Sequence, residues 1–280
     1  MRLIGFLFEG KPWIGALADQ ALKPISPVGA FYEAPHRAMQ DAQANARPSL
    51  DPAAVTMVPP VPRSAKVVCV GLNYRRHAAE AGMDVPRYPT IFGRWASTLV
   101  VDGTELWVPG GEAGLDWEVE LGVIIGKRLH CASPETALES VLGYTVFNDV
   151  SARRKQMHTS QWTLGKNADR SGPIGPVVVT PDEVADPCNL QLELKVNGVV
   201  QQSANTKDMV FPVPEILAYV TDTVTLEPGD VVATGTPDGV GFTRSPALLL
   251  GPGDVVEASV EGIGTLRNPV GYRTPTEPAV

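Results

Sequence analysis

Glu118-Val119-Glu120 is where residue types and spacing first suggest chemistry. It lies within residues 115–127, where apolar residues alternate with carboxylates and β-branched residues follow, the pattern of a strand. Alternation directs Asp116, Glu118 and Glu120 to one face and Trp117, Val119 and Leu121 to the other. Three like charges on one face repel unless water screens them or a cation sits among them. Residues 121–125 are apolar on both faces, so this strand enters a core. Another apolar segment, residues 141–147, ends in Asn148-Asp149 and carries a further acid to the end of a buried strand. A solvated acidic face and a divalent-cation site both fit this pattern.

Other chemistry-bearing residues lie on either side. A strand over residues 66–71 leads into Leu72-Asn73-Tyr74, after which Asn73 caps a short helix that Gly82 ends. His77 and Glu80 are three apart and share a face of that helix. A carboxylate beside an imidazole tunes its basicity, which suits water activation, though solvated helices carry such pairs too. Arg94 falls in the apolar strand-like run 89–97 with no local acid, so it calls for a protein or substrate carboxylate. A basic run, Arg153-Arg154-Lys155, follows Asp149. Lys166 stands just ahead of a Gly/Pro-rich turn region. It is either an exposed loop lysine or, near a bound cation, a stabiliser of an enolate. Residues 234–241 form a glycine-rich loop after a strand. No helix pattern follows it, so it is not a nucleotide phosphate loop, yet its N–H groups and Thr236 could meet a carboxylate.

These residues need a scaffold. The chain's 280 residues, 44% hydrophobic and 19% charged, describe a soluble globular protein with ample core. A net charge of −8 gives no basic footprint for nucleic acid or an anionic membrane. The apolar start is broken by Glu9-Gly10-Lys11 and reads as a first strand rather than a signal sequence. No stretch has the length of a membrane span. Cys69, Cys131 and Cys188 form no CxxC and read as buried free thiols of a reducing, cytoplasmic compartment. Residues 1–62 form a small N-terminal domain with two strand-like pieces, an Ala-rich stretch at 38–46 and a Pro-rich linker. Residues 63–280 form a second, larger domain that carries all the chemistry-bearing residues above. Within it, Asn197-Gly198 marks a type I′ hairpin, and Pro214 suits the first turn of a short helix. The phrase Pro-Gly-Asp-Val-Val, at residues 228–232 and 252–256, is one turn-into-strand solution used twice.

Gly71-Leu72-Asn73-Tyr74 with His77 and Glu80, Glu118-Val119-Glu120-Leu121-Gly122, residues 148–153, Lys166 and residues 234–241 together resemble the fumarylacetoacetate hydrolase family. The resemblance covers roughly residues 65–270 and leaves the N-terminal piece poorly matched. It implies an α+β, β-rich fold: a mixed β-sandwich or roll core with short helices, plus the small N-terminal domain, in a homodimer. It implies Mg²⁺ or Mn²⁺ on Glu118, Glu120 and Asp149, with His77 and Glu80 as a water-activating pair on a mobile lid. Lys166 would steady developing negative charge, and Arg94, Arg153, Gln161 and Thr236 would meet the substrate. One departure concerns Phe92-Gly93-Arg94-Trp95, which stands where many relatives carry Phe-Leu-Lys-Pro. Arginine stays protonated at neutral pH, so charge pairing survives there and proton transfer does not.

The chemistry implied is that of 2-oxo acids, which chelate a hard divalent cation through carboxylate and keto oxygens. In a 2,4-dioxo acid, water activated by Glu80 and His77 would attack the distal carbonyl and split the adjacent carbon–carbon bond. The expected activity is therefore acylpyruvate hydrolysis, with fumarylpyruvate or a similar intermediate of aromatic catabolism as substrate. Oxaloacetate decarboxylation and hydration or isomerisation of 2-oxo-enoic diacids are the alternative enzymes. A metal-binding protein without catalysis is the reading from another class, and the intact Glu118, Glu120, Asp149, His77, Glu80 and Lys166 argue against it.

Overall fold

The alternating stretch does form a strand, Val119–Ile125, buried along its whole length in the interior of an 11-stranded mixed sheet. This computed structural model describes residues 1–18, 21–44 and 47–273. Val119–Ile125 lies antiparallel to Val141–Asn148 on one side and to Val231–Ala233 on the other. Lys66–Gly71 then pairs parallel with Val231–Ala233, and Thr90–Trp95 closes that edge antiparallel to Lys66–Gly71. On the opposite side, Gly172–Val179 follows Val141–Asn148.

A 5-stranded sheet runs Val199–Asn205, Gln191–Val196, Val255–Val260, Gly264–Tyr272 and Leu106–Val108. Its leading hairpin turns at Asn197 and Gly198, with φ of 51° and 78°, as a type I′ turn requires. Leu192, Leu194, Val256 and Ala258 of this sheet share one apolar core with Val119, Leu121 and Val123. Each buried Val or Leu side chain among them contributes about 1.5–3 kcal/mol. The fold is β-rich α+β with short helices, as the resemblance implies.

Among its described residues the N-terminal segment holds four strands rather than two pieces: Arg2–Phe8, Lys11–Ala18, Ala21–Pro27 and the short Met57–Val58. They extend the main sheet, because Arg2 and Leu3 pair with Val179 and Val178. A second apolar cluster joins Leu3, Ile14 and Phe31 to Val67, Ile124 and Val231, so this segment shares its core with the rest. The Ala-rich stretch is helix Pro35–Ala44, while Asn45 and Ala46 lie outside the described residues. Among the described cysteines only Cys69 is buried. Cys188 is half-buried and Cys131 exposed, and all three thiols are free. No helix among the described residues is long and apolar enough to cross a membrane.

Candidate metal and catalytic site

Strand register explains how three carboxylates converge. Glu120 stands opposite Phe147, so the chain leaves the ladder at Asn148 and sets Asp149 beside Glu118, whose carbonyl accepts the Asp149 N–H at 2.9 Å. One oxygen from each of Glu118, Glu120 and Asp149 lies within 4.8 Å of the others, and all three residues are buried.

Three buried cations answer this charge. The Lys166 ammonium donates to Glu118 Oε2 at 2.7 Å and to Asp149 Oδ2 at 2.6 Å. It comes from the short helix Thr163–Lys166, packed by Gly165 against Gln156 too tightly for a Cβ. The exposed-loop reading of Lys166 is thereby excluded, since the residue is 2% exposed. Arg94 donates from Nε to Asp149 Oδ1 at 2.9 Å, and its Nη2 binds the same oxygen. Arg153 Nη2 lies 2.6 Å from Glu118 Oε1 as a close ion pair.

Burial alone would push the Glu118 carboxyl up, but Lys166 and Arg153 overcome it and hold it at about 2. Glu120 goes the other way: burial first, then Asp149 and Glu118, raise it well above the usual carboxylate range. Its Oε2 accepts the Gly235 N–H at 2.7 Å. Lys166 is raised, because Asp149 and Glu118 outweigh burial, and stays an ammonium.

His77 and Glu80 lie on helix Arg75–Glu80 and face each other, Nδ1 to Oε2 at 3.5 Å. Both Glu80 oxygens also accept the Gly239 N–H, at 3.1 Å each. Burial raises Glu80, but hydrogen bonds from His77, Thr243 and Gly239 leave it below its ordinary value. Glu80 is therefore a carboxylate at neutral pH, able to take a proton. His77 is within electrostatic reach of Glu118 and helps lower that carboxyl. Asn73 does not cap this helix. Its side chain instead joins Phe211 to Thr234 by donating to both carbonyls, and Tyr74 occupies the cap position.

Several sequence expectations need correction. Asp116 does not join Glu118 and Glu120, because the regular ladder begins only at Val119 and Asp116 sits on an isolated bridge to Ser151. Its carboxylate accepts instead from Arg153 Nε at 2.8 Å and from Gly241 and Phe242 N–H at 2.7 and 3.1 Å. Of the two partners open to Arg94, the structure supplies the protein carboxylate, Asp149, and Nη1 and Nη2 are taken up further by Ser171 Oγ at 2.7 Å and Val150 O at 3.0 Å. Arg153 is likewise committed to Asp116, Glu118 and Gln156, with its guanidinium 4.3 Å over Phe242. Thr236 is buried, and its Oγ1 accepts from Gln202 at 2.8 Å. Gln161 is exposed on the loop before Thr163–Lys166, its backbone tied to Thr159.

The donor set suits a hard divalent ion, being all oxygen, buried and of three carboxylates on rigid strand backbone. A surface groove of about 650 Å³ beside Tyr32, His36 and Lys127 shares no residue with this cluster.

This β-rich scaffold with a buried Glu-x-Glu and a strand-end Asp defines a family of enzymes. The model of the fumarylacetoacetate (FAA) hydrolase C-terminal domain matches residues 66–271, and the chain belongs to the fumarylacetoacetate hydrolase family. It is 46% identical over 225 residues to the mitochondrial oxaloacetate tautomerase of Homo sapiens, covering 80% of this chain and 72% of that one. It is 45% identical over 240 residues to that of Bos taurus, covering 85% and 76%. Among solved structures, a fumarylacetoacetate hydrolase from Exiguobacterium antarcticum is 35% identical with a TM-score of 0.82, covering 98% and 100%. A 2-hydroxyhepta-2,4-diene-1,7-dioate isomerase from Mycobacterium marinum is 32% identical with a TM-score of 0.77, covering 98% and 99%.

Proposed function

We propose that this protein is a divalent-cation-dependent enzyme of 2-oxo acids that moves a proton at the carbon beside the keto group, with oxaloacetate as substrate. The observation that carries this reading is an ionised Glu80, paired with His77, a residue within electrostatic reach of the buried Glu118–Glu120–Asp149 cluster. The relatives named oxaloacetate tautomerase support it at 45–46% identity. Acylpyruvate hydrolysis, the activity expected from the motifs, becomes the second reading. It is favoured by the likeness to the fumarylacetoacetate hydrolase structure at 35% identity.

Glu118, Glu120 and Asp149 would hold one Mg²⁺ or Mn²⁺, which when bound supplies Lewis-acid polarisation to the carboxylate and keto oxygens of the substrate. Glu80 takes the proton from carbon and delivers it to the enolate oxygen, and in the reverse direction carries it from the enol hydroxyl to carbon, with His77 hydrogen-bonded to it. Lys166 stays charged and places a cation beside the oxygen on which negative charge develops. Arg94 and Arg153 contribute through the carboxylates they hold. In the hydrolytic reading, the same Glu80 takes its proton from water instead.

A side-by-side panel separates the two. Enol oxaloacetate and a series of acylpyruvates are supplied to the magnesium- or manganese-loaded enzyme, following ketone formation and pyruvate release. Accelerated ketonisation with slow cleavage supports proton transfer. Fast cleavage of an acylpyruvate with no effect on the enol assigns hydrolysis.

A further inference from the structure

Asp116 is a buried acid that the proposed chemistry leaves without work, and it is 0% exposed. Four donors converge on its two oxygens. Oδ1 accepts from Trp117 N–H at 2.9 Å and Gly241 N–H at 2.7 Å, and Oδ2 from Phe242 N–H at 3.1 Å and Arg153 Nε at 2.8 Å. The neighbouring indole, Trp117 Nε1, donates to the Gly239 carbonyl at 3.1 Å. Two successive residues thus grip the loop from Gly239 to Phe242 at three points. The next residue, Glu118, belongs to the carboxylate cluster. On its other side the same loop presents the Gly239 N–H to both oxygens of Glu80.

The loop is seated without slack. A Cβ on Gly241 would stand 1.8 Å from the Leu248 carbonyl oxygen and 2.9 Å from Asp116 Oδ1. Gly239, at φ of 101°, is in a conformation that side chains rarely adopt. A short, rigid path therefore runs from Glu118 through Trp117 and Asp116 to the Gly239 amide, and from there to Glu80.

We propose that Asp116 is a positioning residue, which sets the Gly239 amide and, through it, the Glu80 carboxylate at a fixed place relative to the Glu118–Glu120–Asp149 cluster. This rests on the reading of Glu80 as the base. An aspartate is required because all four groups aimed at it are donors. An asparagine amide would turn an NH₂ against one pair of them and release a loop N–H in either orientation, Gly241 together with Trp117 or Phe242 together with Arg153. Misplacing a base by about 1 Å costs on the order of a hundredfold in rate.

A double-mutant cycle tests this, with oxaloacetate ketonisation by the magnesium-loaded enzyme as the rate and magnesium titration as the second readout. Asp116→Asn is expected to lower kcat by about 10- to 100-fold while magnesium affinity and KM change less than about threefold. In a Glu80→Gln background, Asp116→Asn should add less than about threefold, because the group it positions is already gone. A general structural role predicts the same loss in both backgrounds, and that result overturns the proposal, as does wild-type turnover by Asp116→Asn. Full activity in Glu80→Gln alone removes the base reading and this proposal with it, whereas additive losses remove this proposal only. Should Asp116→Asn fail to fold, Trp117→Phe enters the same cycle, since it removes the indole N–H from the Gly239 carbonyl together with some buried ring volume, leaving the Arg244 donor in place.

Discussion

Arg94 and Asp149 form an ion pair in which neither side chain has any solvent exposure, 0% for each. Two guanidinium N–H groups take one carboxylate oxygen and leave the other to Lys166. Removing one partner of a buried pair strands the other charge and costs about 3–5 kcal/mol. Arg94→Met is expected to lose stability of that order in urea unfolding, and Arg94→Lys less. Unaltered stability, with a KM increase confined to diacid substrates, would return Arg94 to substrate recognition.

Glu120 gives cation binding a pH dependence. Its carboxyl is raised by burial and by the neighbouring Asp149 and Glu118, whereas a ligand must be ionised, so ion binding displaces a proton. Affinity should therefore rise with pH, by at most about tenfold per unit for one proton. The stability signs differ between neighbours. Glu118, lowered from 4.5 to about 2, stabilises the fold above 4.5, and that contribution is lost as pH falls toward 2. Glu120, raised, stabilises below its ordinary value and loses that contribution as pH rises through its folded value. Magnesium should thus raise Tm more at mildly alkaline than at mildly acid pH, measured by calorimetry. Equal increments would place the bound ion away from Glu120.

Glu80→Gln keeps size and shape but removes the base. A positioned base contributes on the order of a hundred- to ten-thousand-fold, and turnover should fall by that factor with magnesium affinity unchanged. Steady-state kinetics with a parallel ion titration checks both halves. A parallel fall in affinity would make Glu80 part of the ion site.

Local pattern carried the centre of the site, and long-range pairing hid the rest. Glu118 and Glu120 were legible from alternation, and Asp149 from its place after an apolar strand. Asp116 looked equivalent to them, but the ladder starts at Val119 and no local signal shows that Arg153 would claim it. Arg94 finds its acid 55 residues away, and Lys166 reaches Glu118 across 48, so neither partnership could be read from spacing. The joining of Arg2–Phe8 to Gly172–Val179 was hidden for the same reason. The Asn197-Gly198 hairpin, a purely local device, was readable in full.

The seating of the Gly239–Phe242 loop gives a steric prediction. Gly241→Ala drives a methyl group into the Leu248 carbonyl, 1.8 Å from its ideal position, so the loop must shift. Turnover should fall at least about tenfold with some loss of Tm. Gly29→Ala is the control. Nothing lies within 4 Å of its added Cβ, and within helix Val28–Glu33 it should gain roughly 0.5–1 kcal/mol. Thermal melts and rates on both variants decide whether the loop is as tightly held as described.

The central claim, proton transfer beside a buried carboxylate-held cation, is tested most directly by following the conversion of enol oxaloacetate to the ketone by stopped-flow absorbance. The wild-type enzyme should accelerate it with magnesium or manganese, lose that acceleration on chelation and regain it on adding the ion back. Glu118→Gln should need far more ion to recover any rate. Conversion that is indifferent to chelator and to Glu118→Gln, or no acceleration by the ion-loaded enzyme, would contradict the account.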